Sequence, residues 1–189
     1  MEYVVLNNKV KMPKLGYGVF QIPNDECEAC VSKALAAGYR LIDTASAYLN
    51  EEAVGEAIKK SDIPRGELFI TTKLWVQDSD YDLAIKAAEA SMKRLGVDYI
   101  DLYPLSCMGI WTSRWWTRCL QSVFRSKTAW SIRAIGTSNF DEARLVDLCM
   151  NNEIKPAVNQ VEIQPFFQQE KAIKNMQKYN IQPEAWGPL

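Results

Sequence analysis

No histidine occurs among the 189 residues. Its absence excludes a histidine-based catalytic triad, an imidazole metal ligand and the usual near-neutral general base. Long apolar runs are also missing: none exceeds the length of a strand, so no membrane-spanning helix is expected. Met1, Glu2 and Tyr3 begin no signal peptide, and the expected location is the cytoplasm. No G-x-G-x-x-G and no G-x-x-x-x-G-K follows any apolar run, which removes the main signal of the nucleotide-binding open sheets. Excess charge is absent too. The 22 basic and 23 acidic residues leave a net charge of -1, and nothing in that balance calls for a nucleic acid or an anionic membrane as partner. Five cysteines without a secretory start read as free thiols. Cys27 and Cys30 form a C-x-x-C, but inside a helical pattern and without a second pair at zinc-ligand spacing.

What is present is ordinary globular material. With 48% hydrophobic residues the chain can bury one sizeable core, and we read residues 1–189 as a single domain. Tyr3 to Leu6 and Lys9 to Met12 flank Asn7 and Asn8 as a small hairpin. Strand patterns follow at Leu15 to Val19, Leu41 to Asp43, Leu68 to Leu74, Tyr99 to Tyr103, Ile132 to Ile135, Ala157 to Ile163 and Ile181 to Trp186. Helical spacing joins them. Cys27, Val31, Ala34 and Leu35 make one apolar face, Val54, Ala57 and Ile58 a second, and Ala84, Ala87, Ala88, Ser91 and Leu95 a third. Asn50 is expected to cap the second helix, Ser79 or Asp80 the third and Asp141 a later one, where Phe140 would staple onto Leu145. Strands separated by single helices imply right-handed crossovers and a parallel sheet. The expected fold is α/β, a TIM-type (β/α)8 barrel with about seven strands and a small hairpin at its start.

The chemistry gathers where strands end. Asp43 closes the Leu41-Ile42 strand, and Tyr48 lies in the loop that leads to the next helix, on the edge where alternating strand and helix proteins bind ligands. Lys73 falls near the end of the next strand, where an ammonium needs water or an anionic partner. Asp43 is the available partner. On local signals alone, Asp43 also reads as a strand-end residue bonding loop amides, Tyr48 as a half-buried aromatic and Lys73 as a snorkelling chain.

Six stretches in this order are more specific: Gly38 to Ala45 with Tyr48, Asn50 to Glu52, Thr71 to Trp75, Ile135 to Phe140, Val158 to Gln160, and Ala185 to Leu189. Together they resemble the aldo-keto reductases, in particular the small soluble members such as diketogluconate reductases and prostaglandin F synthases. The resemblance covers roughly Tyr3 to Tyr103 and Ile132 to Leu189. It implies NADPH-dependent reduction of small aldehydes or ketones in a TIM barrel. Tyr48 would be the proton donor, Lys73 would depress its pKa and favour the phenolate, and Asp43 would hold Lys73 charged. Ser138, Asn139 and Gln160 would hydrogen-bond the nicotinamide carboxamide, Trp186 would stack on its ring, and Gly187 to Leu189 would begin the loop along the pyrophosphate. Trp75 would line the substrate mouth. Read without the resemblance, Ser138 and Asn139 serve as a helix cap, Gln160 is a satisfied buried amide, and Trp75 and Trp186 are packing.

Two departures bear on activity. The family carries a substrate-orienting histidine where Ser106 stands. The stretch 104–131 also has a foreign character: four of the six tryptophans, Trp111, Trp115, Trp116 and Trp130, fall within it, and no acidic residue lies between Asp101 and Asp141. A local frameshift or mistaken splice produces such a block. The match then stops at Leu189, before the family's eighth strand and its phosphate-gripping loop. A truncated barrel with weak NADPH affinity is expected, with a catalytically inactive remnant or interaction protein as the alternative.

Overall fold

The structure, a computed structural model, describes residues 1–75, 81–106 and 131–188. Strands β1 (Tyr3–Val5) and β2 (Lys11–Pro13) pair antiparallel as the expected hairpin. Then follow β3 (Gly16–Gly18), α1 (Asn24–Ala36), β4 (Leu41–Asp43), α2 (Glu51–Lys60), β5 (Phe69–Thr71), α3 (Tyr81–Leu95) and β6 (Ile100–Ser106). The remainder is β7 (Ile132–Ser138), α4 (Glu142–Asn151), β8 (Val158–Glu162), α5 (Glu170–Lys178) and β9 (Gln182–Trp186). The seven strands β3 to β9 are parallel and lie side by side in sequence order. That order decides the architecture. Right-handed crossovers between sequential neighbours put every helix on the same face, so the sheet curls into a barrel instead of taking helices on both faces.

Two of the three apolar clusters lie between strands and helices. Ile42 and Ile70 meet Cys27, Val31 and Val54, while Ile100, Ile132 and Ile135 meet Ala84, Ala88, Leu148 and Met176. The third fills the barrel's lower end: Leu41, Phe69, Leu102, Ala134 and Val158 pack against Leu6 and Met12 of the hairpin region. Asn7 and Asn8 fix that plug by donating to the carbonyls of Pro156 (2.8 Å) and Arg133 (2.9 Å). Nearby, buried Asp101 accepts from the Ile70 amide and pairs with Arg65 at 2.8 Å and Arg133 at 2.7 Å.

Most of the expected boundaries hold to within a few residues, and three differ instructively. Asn50 occupies the N-cap position of α2, but its side chain makes no cap hydrogen bond there. It is fully buried, accepts from the Thr44 hydroxyl at 2.8 Å and donates to the carbonyls of Val19 and Ile22, so it ties the two loops after β3 and β4 together. Leu74 lies beyond β5 and makes an isolated bridge to Leu105. Pro104 to Ser106, part of the stretch of foreign character, continue β6 in register with Gly136 to Ser138. Ser79, Asp80 and residues 107–130, with their four tryptophans, lie outside the described residues. Asp141 does cap α4, accepting from the Arg144 amide at 2.9 Å.

Candidate active site

Successive side chains of a strand point to opposite faces. Leu41 and Phe69 enter the apolar plug, so Asp43 and, two positions beyond Thr71, Lys73 point into the barrel one and two layers higher, toward the carboxyl ends of the strands. Lys73 is 3% exposed and Asp43 is 9% exposed. The Lys73 ammonium forms an ion pair with Asp43 Oδ1 and also donates to the Thr44 carbonyl at 3.2 Å. Its third direction reaches the Tyr48 hydroxyl at 3.5 Å. Tyr48 is held there by a 3-10 turn, Ser46–Tyr48, that is pinned to the neighbouring strand through Ser46 Oγ donating to the Lys73 carbonyl at 3.0 Å. The three residues proposed from the sequence are thus brought into one contact chain. Of the local alternatives, neither loop capping by Asp43 nor snorkelling by Lys73 describes what is seen.

The electrostatics correct one expectation. Burial is the largest influence on Tyr48 and raises its pKa; the Lys73 charge and hydrogen bond pull it down, Asp43 pushes it up, and the net shift is upward. The ammonium therefore moderates a buried phenol instead of making it more acidic than a free tyrosine. Burial works against the charge on Lys73, but Asp43, Tyr48 and Glu184 outweigh it, and its pKa rises. At neutral pH the phenol holds its proton and the amine its charge.

Ser138, Gln160 and Ser106 share one layer: Ser106 pairs in register with Ser138, and Ser138 with Gln160. Gln160 is buried and donates to Asp43 Oδ2 at 2.9 Å, joining this layer to the ion pair. Asn139, in the left-handed region at φ 60° that asparagine tolerates, donates to Ser138 Oγ at 3.2 Å, while its Oδ1 accepts from the Trp186 indole at 2.8 Å. Trp186 is 42% exposed, so it is a face open to a ligand and not core. Gly187, at φ 59°, turns the chain after β9. Trp75 is half-buried at the same rim as Ser106. Leu189 lies outside the described residues. A hydroxyl and two amides supply both donors and acceptors for a carboxamide, and the open indole supplies a stacking surface; this donor set fits a nicotinamide.

Sequence reasoning missed two neighbours of this site. Phe20, 64% exposed, places its ring 5.0 Å from that of Tyr48, and no local pattern signals it. Glu184 is paired in register with Gln160; its signal was available, because it lies two residues before Trp186 and so on the same face of β9.

The sequence profile of the Aldo/keto reductase family matches residues 14–189. A Pseudomonas putida protein described as morphine 6-dehydrogenase is 43% identical over 97% of this chain, which spans 62% of that protein. A glyoxal reductase of Bacillus subtilis is 43% identical over 98% of this chain and is covered to 67% of its length. Among solved structures, an aldo/keto reductase from Brucella melitensis superposes with a TM-score of 0.93 at 42% identity, over 99% of this chain and 73% of that one. A Bombyx mori aldo-keto reductase in complex with NADP superposes with a TM-score of 0.90 at 32% identity, over 98% of this chain and 66% of the other.

Proposed function

The chain belongs to the aldo/keto reductase family, and from that premise we propose that it reduces the carbonyl of small aldehydes or ketones with NADPH. The observation that supports this reading above all is the position of the Lys73 ammonium between the Asp43 carboxylate and the Tyr48 hydroxyl, buried on the rim where such barrels do chemistry. When bound, NADPH supplies the hydride. Ser138, Asn139 and Gln160 would hold its carboxamide and Trp186 its ring, with Gly187 and Leu189 at the start of the adjoining loop. Trp75 and Ser106 would border the substrate.

Tyr48 gives its proton to the carbonyl oxygen as negative charge develops there. A phenol protonated at rest suits an acid catalyst, provided that the phenolate left behind is stabilised. The fixed charge of Lys73 does this without reorganisation, and Asp43 keeps that charge in place. The free thiols of Cys27, Cys30 and Cys149 fit a reducing compartment, and we assign the cytoplasm. Among the described residues no helix is long and apolar enough to cross a membrane.

A second reading, a catalytically inactive relative of the reductases, is favoured by Ser106, whose hydroxyl is shorter than an imidazole and carries no charge. NADPH oxidation with methylglyoxal or 4-nitrobenzaldehyde, alongside tryptophan fluorescence on titration with NADPH, separates the two. Quenching with turnover supports the reductase. Absence of turnover supports the inactive relative, and absence of quenching together with a molten circular-dichroism profile supports it further.

A further inference from the structure

Strands β4 and β5 are each followed by a buried threonine, Thr44 next to Asp43 and Thr72 next to Lys73. Neighbouring side chains of an extended chain point to opposite sides. Asp43 and Lys73 enter the barrel, so the two threonines face outward, and the start of α2 meets them with consecutive residues. The Thr44 hydroxyl donates to Asn50 Oδ1 at 2.8 Å, and the Thr72 hydroxyl donates to Glu51 Oε1 at 2.5 Å. Both acceptors are themselves held. Asn50 donates to the carbonyls of Val19 and Ile22, while Glu51, only 1% exposed, has its other oxygen 2.6 Å from the Arg94 guanidinium of α3. Tyr48 reaches the same point through the chain, with one residue between it and Asn50. That residue, Leu49, lies in the left-handed region at φ 58° although its own side chain is 82% exposed. Leucine adopts this conformation only where its surroundings impose it, and here the fixed neighbour is Asn50.

We propose that Asn50 and Glu51 are positioning residues, the common anchor that sets the geometry of Asp43, Lys73 and Tyr48. Packing alone does not call for a charge at Glu51, because apolar residues replace a buried ion pair with little loss of stability. Directed hydrogen bonds instead fix where a loop sits. Lys73 lies two residues beyond β5, where the strand ladder no longer holds the backbone. Its carbonyl accepts from Ser46 Oγ on one side, and the Thr72 bond to Glu51 is the tether on the other. Freeing Thr72 lets Lys73 move against Tyr48. Freeing Thr44 moves the carbonyl that accepts from the Lys73 ammonium at 3.2 Å. The ammonium stands 3.5 Å from the Tyr48 hydroxyl, at the outer limit of a hydrogen bond, so a small displacement breaks that contact. The catalytic consequence rests on the reductase reading; the anchoring does not.

Nitrogen-15 NMR of the whole chain tests this through exchange of the Lys73 ammonium protons, with the backbone amide of Leu102, deep in the plug, reporting global unfolding. Thr72→Val and Thr44→Val keep the side-chain shape and lose the hydroxyl. In each, Lys73 exchange is expected to quicken by about tenfold relative to the Leu102 amide, the weight of one lost hydrogen bond. Thr72→Ser should restore slow exchange. Equal changes at Lys73 and Leu102 mark a merely structural bond and overturn the proposal. Should the valine variants not fold, the unsubstituted chain gives the answer: the hydroxyl protons of Thr44 and Thr72 and the Lys73 ammonium protons are expected to be protected together. Freely exchanging hydroxyls beside a protected ammonium overturn it. For a protein that turns over, kcat is expected to fall about 10²-fold in Thr72→Val and to recover in Thr72→Ser, with KM for NADPH unchanged; an unaltered kcat overturns the link to catalysis. Absence of turnover in the unsubstituted chain, with the expected exchange behaviour, tells against the reductase reading and leaves the anchor standing.

Discussion

Lys73 keeps a charge inside an apolar barrel because three oxygens surround it: a carboxylate, a backbone carbonyl and a phenol. Removing the ammonium leaves Asp43 buried without its counter-charge. Lys73→Met is therefore expected to lower unfolding stability by about 3–5 kcal/mol, read from urea titration. Tyr48→Phe removes only the hydroxyl, at the open side of the cluster. We expect it to cut kcat by about 10²-fold or more while NADPH still quenches tryptophan fluorescence, because Trp186 is untouched. Glu184 gives stability a pH dependence of definite sign. Its pKa in the folded chain, about 8, lies above the ordinary 4.5, so its stabilising contribution is complete below pH 4.5 and is lost as pH rises through about 8. Thermal melts from pH 5 to 9 should show that decline in the native chain and a flatter curve in Glu184→Gln.

At the level of elements, α2 is set by what it packs against more than by its own helix propensity. Gly55 sits so close to the end of α3 that a Cβ there would lie 2.6 Å from the Leu95 carbonyl oxygen. Glycine costs a helix about 1 kcal/mol relative to alanine, yet Gly55→Ala is expected to destabilise the protein by about 1–3 kcal/mol, since backbone must move to admit the methyl group. A denaturation midpoint at or above that of the native chain would contradict this packing. Buried Glu51 secures the same contact through Thr72 and Arg94. On α1, burial first and then Cys30 raise the Cys27 thiol to about 11. Ellman's reagent at pH 8 should therefore label Cys27 only after unfolding, which sets this C-x-x-C apart from redox motifs with reactive thiolates.

For the molecule as a whole, the site at one end of the barrel depends on the plug at the other. Leu6 and Met12 close the lower layer beneath Leu41 and Phe69, and the same two strands carry Asp43 and lead to Lys73. Met12 is 3% exposed, and Met12→Ala is expected to cost about 2–5 kcal/mol. The loss should appear as a lower melting temperature with no change in the NADPH concentration needed for half-maximal quenching, because the plug and the residues proposed to hold the cofactor occupy opposite ends.

The sequence by itself determined the strand and helix alternation and the barrel class, and it placed Asp43 and Lys73 at strand ends with Tyr48 in the loop between; Ser138, Asn139, Gln160 and Trp186 were implied only by the resemblance to the aldo-keto reductases. Periodicity and strand-end placement are local properties, and they survive without knowledge of neighbours. Tertiary structure decided everything that depends on register between strands. It turned Asn50 from a cap into a tie between loops, exposed Trp186, gave Gln160 the Asp43 carboxylate as partner and laid Glu184 beside them. It also decided the sign of the Tyr48 shift, since the cost of burying a phenol outweighs one nearby ammonium, and only the folded barrel fixes how deeply that phenol is buried.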